Sequence, residues 1–172
     1  FMMMRSVFSD QLSDFSALYD DVELVSVQRP GAAAKPLATA AAEWLAPGGT
    51  IETQWVQSRE RPQGADDRLT SIRDGALRSA LREEIDEAVA LLTDLLDCSN
   101  VGVRVATLDG PMCPKFHTDM VPCRLLITLE GPGTEWIAHD EVDFERFADR
   151  TVEQPAVRAG RFAPCPPVPG RC

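Results

Sequence analysis

The order of hydrophobic and polar positions predicts alternating helices and strands in the N-terminal third of the chain. Apolar side chains recur there at helical spacing: Phe8, Leu12, Phe15 and Leu18. The apolar positions that follow predict a short strand over residues 22–27, ended by Arg29-Pro30-Gly31. An alanine-rich stretch over residues 38–45 predicts a helix that stops at Pro47-Gly48-Gly49.

A long amphipathic helix is predicted over residues 72–96. One apolar stripe repeats every three to four positions along it: Ile72, Ala76, Ala80 or Leu81, Ile85, Ala88 or Val89, Leu92 and Leu96. Ser71 and Asp74, three positions apart, resemble a capping box at its start. Its acidic residues at 83, 84, 86 and 87 are interpreted as a solvated helix face, in preference to a metal site.

The pattern changes to extended segments after residue 100. Valines at 101, 103 and 105 alternate with Gly102 and Arg104, which predicts a half-buried strand to about Leu108. Residues 124–129 predict a strand buried on both faces, and residues 134–137 predict another after the turn at Gly131-Pro132-Gly133. Helices followed by antiparallel strands indicate an α+β domain, with a sandwich or barrel covered by a helical layer.

Composition narrows the function classes. A chain of 172 residues suits one domain. The net charge of −10 disfavours a nucleic-acid surface, and no apolar stretch reaches the ~20 residues of a membrane span. The first residues do not resemble a secretory signal, so the expected compartment is the cytoplasm. Five cysteines without framework spacing indicate reduced thiols. The sequence does not indicate an oligomeric state.

The segment around His117 carries the candidate chemistry. His117 and Asp119 are two residues apart, and in a strand such side chains share a face. An imidazole and a carboxylate are two parts of the 2-His-1-carboxylate triad that holds iron(II), so both are predicted metal ligands. Cys113 and His139 are candidate additional ligands, and a Cys113 thiolate would favour zinc. The alternatives stay open: a structural histidine at 117, a buried inert thiol at 113 and a surface histidine at 139.

Arg124 and Cys123 are two further candidate residues near this segment. Arg124 is a candidate for holding a carboxylate co-substrate through a bidentate contact, although a structural ion pair with Glu135 or Asp119 explains it equally well. Cys123 is a weaker candidate ligand than Cys113. A Cys113–His117 hydrolase is disfavoured, because residues i and i+4 of an extended strand lie about 13 Å apart. Phosphate-binding loops, nucleophile elbows and Cys-x-x-Cys pairs do not occur.

Three sequence blocks, residues 113–119, 124–129 and 131–136, resemble the signature of a bacterial and fungal family catalogued as domain of unknown function 1826. Residues 24–30 are similar to its N-terminal part, and the resemblance covers roughly residues 20–140. The block in turn resembles the first metal motif of double-stranded β-helix oxygenases. The resemblance implies N-terminal helices packed on a jelly-roll-like core, with iron(II) and 2-oxoglutarate as cofactors. Family members often look like companions of zinc-homeostasis genes, which implies zinc as the alternative metal.

The C-terminal segment departs from this pattern. A single α+β domain is expected over residues 1–157, followed by a Pro-rich irregular tail over residues 158–172. The distal histidine motif that the oxygenase resemblance implies is missing, so a truncated or frameshifted end and an incomplete β-helix are expected. The expected function is a metal-binding protein, resembling a 2-oxoglutarate-dependent oxidoreductase. The alternatives are a non-catalytic zinc-binding accessory protein and a non-functional fragment.

Overall fold

The computed structural model describes residues 5–9, 11–19, 22–27, 34–60, 67–110, 112, 116–117, 120–137 and 141–148. The strands within these ranges are β1 (Arg5–Ser9), β2 (Val22–Val27), β3 (Glu52–Ser58) and β4 (Asn100–Ala106). The helices are α1 (Ala34–Leu45), α2 (Gly75–Leu96) and α3 (Phe144–Ala148), with a 3-10 helix over Leu12–Tyr19. Contacts divide the chain into two compact units, Gly31–Gly110 and the combination of Phe1–Pro30 with Pro111–Cys172.

The Gly31–Gly110 unit packs two helices with an antiparallel strand pair. Strands β3 and β4 pair along their whole length, with Trp55 opposite Val103. Helix α2 contacts both α1 and β4. The buried apolar side chains of this unit come from both helices, from β3 and from the turns between elements: Leu37, Ala41, Ile51, Trp55, Leu69, Ile72, Leu77, Leu81, Ile85 and Val89. Trp55 is the largest side chain in this core, as expected for an aromatic residue with much apolar surface to bury, whereas Trp44 is half-buried.

Helix α2 confirms the long helix and the predicted stripe at Leu81, Ile85 and Val89, but the stripe differs towards both ends. The buried residues repeat every four positions: Leu77, Leu81, Ile85, Val89 and Thr93. The expected stripe passed through Ala76 and Leu96, which are both exposed. A spacing of four keeps side chains on one face of a helix, and Leu77 buries far more apolar surface than Ala76 does. Leu77 therefore takes the place of Ala76 in the stripe, whereas at the other end Thr93 is buried and the larger Leu92 is half-buried.

The start of α2 is capped by Asp74 itself, so the capping box assigned to Ser71 and Asp74 is wrong. Asp74 has an extended backbone, and its carboxylate accepts hydrogen bonds from the backbone N–H groups of Ala76 and Leu77, both at 2.9 Å. Ser71 lies in the preceding turn. A short acidic side chain at this position satisfies N–H groups that have no partner within the helix and complements the positive end of the helix dipole.

Replacing Asp74 with alanine is expected to lower the free energy of unfolding by about 1 kcal/mol, because two backbone donors lose their acceptor. Asp74→Asn keeps an acceptor oxygen and should cost only a few tenths of this amount. Asp67→Ala, at an exposed turn position before the helix, serves as the matched control. Chemical denaturation followed by circular dichroism measures all three. Equal losses for the alanine and asparagine variants would contradict the capping role.

The second unit contains a parallel strand pair. Strands β1 and β2 pair in parallel from Ser6 opposite Leu24 to Ser9 opposite Val27. A parallel pair needs a crossover of about a dozen residues, and the 3-10 helix lies within that connection. The strand over residues 22–27 is confirmed. The helical spacing that began at Phe8 holds only from Leu12 onward, because Phe8 lies in β1.

The predicted strands after residue 106 are corrected by the structure. β4 confirms the Val101 strand and ends at Ala106. Residues 124–129 form no strand with any part of the chain that the structure describes, and residues 134–137 contribute a single bridge residue, Trp136. The expectation of a strand buried on both faces is wrong because Leu126 and Ile127 are exposed, at 55% and 43%.

These strands establish the coarse fold class. The described residues combine helices with four strands in two separate two-stranded sheets, one of them antiparallel, so the chain is α+β. A jelly roll has eight strands, and the described ranges do not form one. The single-domain boundary at residue 157 and the Pro-rich tail both involve residues outside the described ranges and stay predictions. No helix within the described ranges has the length and hydrophobicity needed to cross a membrane.

Candidate functional site

His117 is an exposed imidazole at the centre of the predicted metal motif. Its neighbour Phe116 is half-buried, and neither residue belongs to a strand. Phe116 and His117 therefore lack the strand geometry that was expected to place Asp119 beside His117. Because His117 is exposed, its imidazole is not packed among apolar side chains.

The other candidate ligands, Asp119, Cys113 and His139, lie outside the described residues. Within the described ranges, no group of three histidine, cysteine or acidic side chains is arranged to hold a metal ion. The predicted distance of about 5 Å between His117 and Asp119, which follows from same-face placement in a strand, stays a prediction.

Arg124, the candidate for a carboxylate co-substrate, has an exposed guanidinium side chain. Glu135, its suggested ion-pair partner, is exposed as well. An exposed arginine can bind a dissolved carboxylate without a rearrangement of the surrounding residues. Its accessibility suits both the predicted carboxylate contact and a surface ion pair.

Cys123 is a half-buried thiol directly before Arg124. Burial raises its pKa above the ordinary value of 9.0, and a smaller opposite effect comes from the backbone N–H of Arg124. Because the thiolate is the form that binds metals and attacks electrophiles, a raised pKa leaves Cys123 protonated and unreactive near neutral pH.

Alkylation of Cys123 is expected to be several-fold slower in the folded protein than in the unfolded chain near pH 8, because folding raises its pKa. The difference should shrink as the pH rises and the folded thiol ionises. Trypsin releases residues 116–124, a peptide in which Cys123 is the single cysteine, so mass spectrometry can follow this site alone. The same peptide from urea-unfolded protein is the control. Equal rates in the two states would contradict the raised pKa.

A buried polar chain in the Gly31–Gly110 unit was not found from the sequence. The indole Nε1–H of Trp55 donates to Gln57 Oε1 at 3.0 Å, and Gln57 Nε2 donates to Asp86 Oδ1 at 2.6 Å. Gln57 is only 2% exposed. Trp55 and Gln57 are two apart in β3 and share the face that meets α2. These two hydrogen bonds join β3 to one carboxylate of the acidic cluster on α2 and give Asp86 a structural role.

A polar depression of about 420 Å³ lies where β3 ends and β4 begins. Its lining residues are Val56, Ser58, Glu60, Ser99 and Asn100. Among the described residues, neither His117 nor Arg124 is part of its lining. Val56 is 70% exposed, so this depression is part of the open surface and does not enclose a ligand.

A comparison with models of protein families identifies the family of this chain. A family model described as protein of unknown function (DUF1826) matches residues 9–164. The chain belongs to this family. The DUF1826 match confirms the resemblance inferred from the blocks at 113–136 and extends it at both ends, reaching past residue 157 into the predicted tail. No curated protein and no solved structure matched the chain.

Proposed function

We propose that this DUF1826 protein binds a metal ion through a centre that begins with His117 and Asp119. The observation that carries the proposal is the exposed imidazole of His117 within a His-x-Asp motif. An imidazole that ligates a metal must be reachable by the ion, and exposure meets this requirement. The carboxylate two residues later supplies the second donor type of the 2-His-1-carboxylate set.

The chemistry of this donor set suits two metals. One imidazole and one carboxylate are ligands of non-haem iron(II), and both also bind zinc. Cys113, four residues before His117, would add a thiolate and shift the preference to zinc.

The narrower proposal is an oxygenase-like activity with 2-oxoglutarate as co-substrate. Bound iron(II) would supply the activation of dioxygen. The chain would supply His117 and Asp119 as ligands and the exposed Arg124 guanidinium, two of whose N–H donors can bind one carboxylate. This proposal also requires a double-stranded β-helix, to which residues outside the described ranges would have to contribute strands.

A non-catalytic zinc-binding accessory protein is the second candidate. One observation favours it: the described ranges form two separate two-stranded sheets, which is less than the jelly-roll core of an oxygenase. Metal capture by a few side chains does not require a substrate cavity, so this function needs less architecture than oxygen chemistry needs.

His117→Ala is expected to weaken binding of the preferred metal by at least about 100-fold, because loss of a direct ligand should exceed the 10–100-fold effects of outer-sphere changes. Asp119→Asn should also weaken binding strongly. Competition with a chromophoric chelator measures both effects for iron(II), under anaerobic conditions, and for zinc. His139→Ala and Cys113→Ser show whether either residue is an additional ligand. Unchanged affinity for both metals in His117→Ala would overturn the proposal.

One titration distinguishes the two candidate functions. In the oxygenase-like case, adding 2-oxoglutarate to the anaerobic iron(II) protein should produce a weak visible charge-transfer band that Arg124→Gln reduces. In the zinc case, the protein should purify with zinc and show no response to 2-oxoglutarate. Circular dichroism of each variant excludes loss of folding as the cause.

A further inference from the structure

The segment from Arg124 to Glu130 is mostly apolar between its charged ends. Its residues favour strands, and its centre is exposed. Its sequence is Arg-Leu-Leu-Ile-Thr-Leu-Glu, rich in residues that favour strands. Leu126 is 55% exposed and Ile127 is 43% exposed. No other part of the described chain pairs with residues 124–129 as a strand. A strand-prone segment of this kind is a template for pairing with another chain.

The segment is complementary to itself when it is reversed. In an antiparallel pair of two copies centred on Ile127, Arg124 of one copy lies opposite Glu130 of the other, at both ends. Leu125 then lies opposite Leu129, and Leu126 lies opposite Thr128. Opposite charges in directly facing positions stabilise an antiparallel pair, and like charges in such positions destabilise it.

We propose that two copies of this chain associate by antiparallel pairing of residues 124–130 across a two-fold axis at Ile127. The partner that the segment fits is a second copy, because its end charges have opposite signs and its Leu125 and Leu129 positions face each other across the pair. A two-fold arrangement uses the same surface on both subunits and closes, so assembly stops at the dimer. The proposal does not rest on metal binding.

The alternation of side chains gives the pair one apolar face. In a strand, Leu125, Ile127 and Leu129 point to one side, and two copies place six such side chains together. The other side carries Arg124, Leu126, Thr128 and Glu130, a mixture suited to contact with water. The pairing would cover Ile127, which lies at its centre and is exposed in the single chain.

A charge exchange tests the register of the pairing. Arg124→Glu places like charges opposite each other at both ends of the pair, and so does Glu130→Arg. Each single variant should weaken the dimer roughly tenfold. A mixture of the two variants restores opposite charges at both ends, so heterodimers should form with affinity close to that of the original chain. Sedimentation equilibrium at low salt measures these affinities, since salt screens exposed charges. A chelator in all samples keeps metal binding from contributing.

A second pair of variants tests the centre. Ile127→Lys places two ammonium groups together at the two-fold axis and should give a monomer over the whole concentration series. Val56→Lys, at an exposed apolar position of β3 in the other unit, is the matched control and should leave the dimer intact. Circular dichroism verifies that both variants fold.

Several results would overturn the proposal. A monomeric original chain at all concentrations would do so, and so would a dimer that survives Ile127→Lys. Mixed charge variants that associate no better than each does alone would show that the register is wrong. Open-ended association of the original chain would show that the copies stack edge to edge and do not form a closed pair.

Discussion

Replacing Ile72 with alanine is expected to lower the free energy of unfolding by about 2–5 kcal/mol. Ile72 is 1% exposed, and its neighbour Leu69 is fully buried. The two residues are joined by a hydrogen bond from the Ile72 backbone N–H to the Leu69 carbonyl at 3.0 Å. The expected loss of stability has two parts. One is the apolar surface that is no longer buried, and the other is the cavity that remains in a turn closed by this hydrogen bond.

Matched variants separate the burial of Ile72 from the general effect of mutation. Ile72→Val removes one methylene group and should cost about 0.5–1.5 kcal/mol. Leu108→Ala, in the same unit, alters a side chain that is 53% exposed and should change stability by about 0.5 kcal/mol or less. Urea denaturation followed by circular dichroism gives the three values. A loss for Ile72→Ala no larger than that for Leu108→Ala would contradict the burial.

Periodicity identified α2 because the helix is long and one of its faces is strongly apolar. Its N-terminus was placed at residue 72, since Ile72 extends the apolar stripe, yet the helix begins at Gly75. Ile72 is buried from the preceding turn, and burial in a turn is indistinguishable from burial on a helix face in a one-dimensional pattern. Asp74 was recognised as part of a cap but was given the wrong capping position.

The same pattern failed over residues 124–129 for a different reason. A short apolar run signals a buried strand only if neighbouring strands cover it, and coverage depends on contacts distant in sequence. In the described chain this segment has no strand partner and Leu126 is exposed. At the candidate site, the exposure of His117 suits a ligand, but sequence spacing alone could not show where Asp119 lies in space.

The hydrogen bonds that join Trp55, Gln57 and Asp86 could not be found from sequence, because Gln57 and Asp86 are 29 positions apart. A glutamine within a strand is ordinarily assigned to the solvent face, as Gln54 is here. Gln57 is instead buried because it satisfies two partners at once, the Trp55 N–H and the Asp86 carboxylate. A buried amide is tolerated when its donor and acceptor are both used.

Gln57→Glu is expected to destabilise the fold by about 3 kcal/mol near neutral pH, because it replaces the N–H donor that faces Asp86 with a carboxylate oxygen. Repulsion between two carboxylates disfavours the charged form, so the pKa of the introduced carboxyl should be higher in the folded protein than in the unfolded chain. The folded state then binds more protons at intermediate pH. Stability relative to the original chain should therefore fall as the pH rises above about 4 and recover in acid.

Urea denaturation at a series of pH values measures this profile. Gln54→Glu makes the same chemical change on the exposed face of β3, opposite Arg104, and should have little effect at any pH. Combining Gln57→Glu with Asp86→Asn exchanges the amide and the carboxylate, which restores a donor–acceptor pair and should recover most of the lost stability. A loss that is independent of pH and not recovered in the double variant would show that packing of the Gln57 side chain, not its hydrogen bonds, stabilises this part of the core.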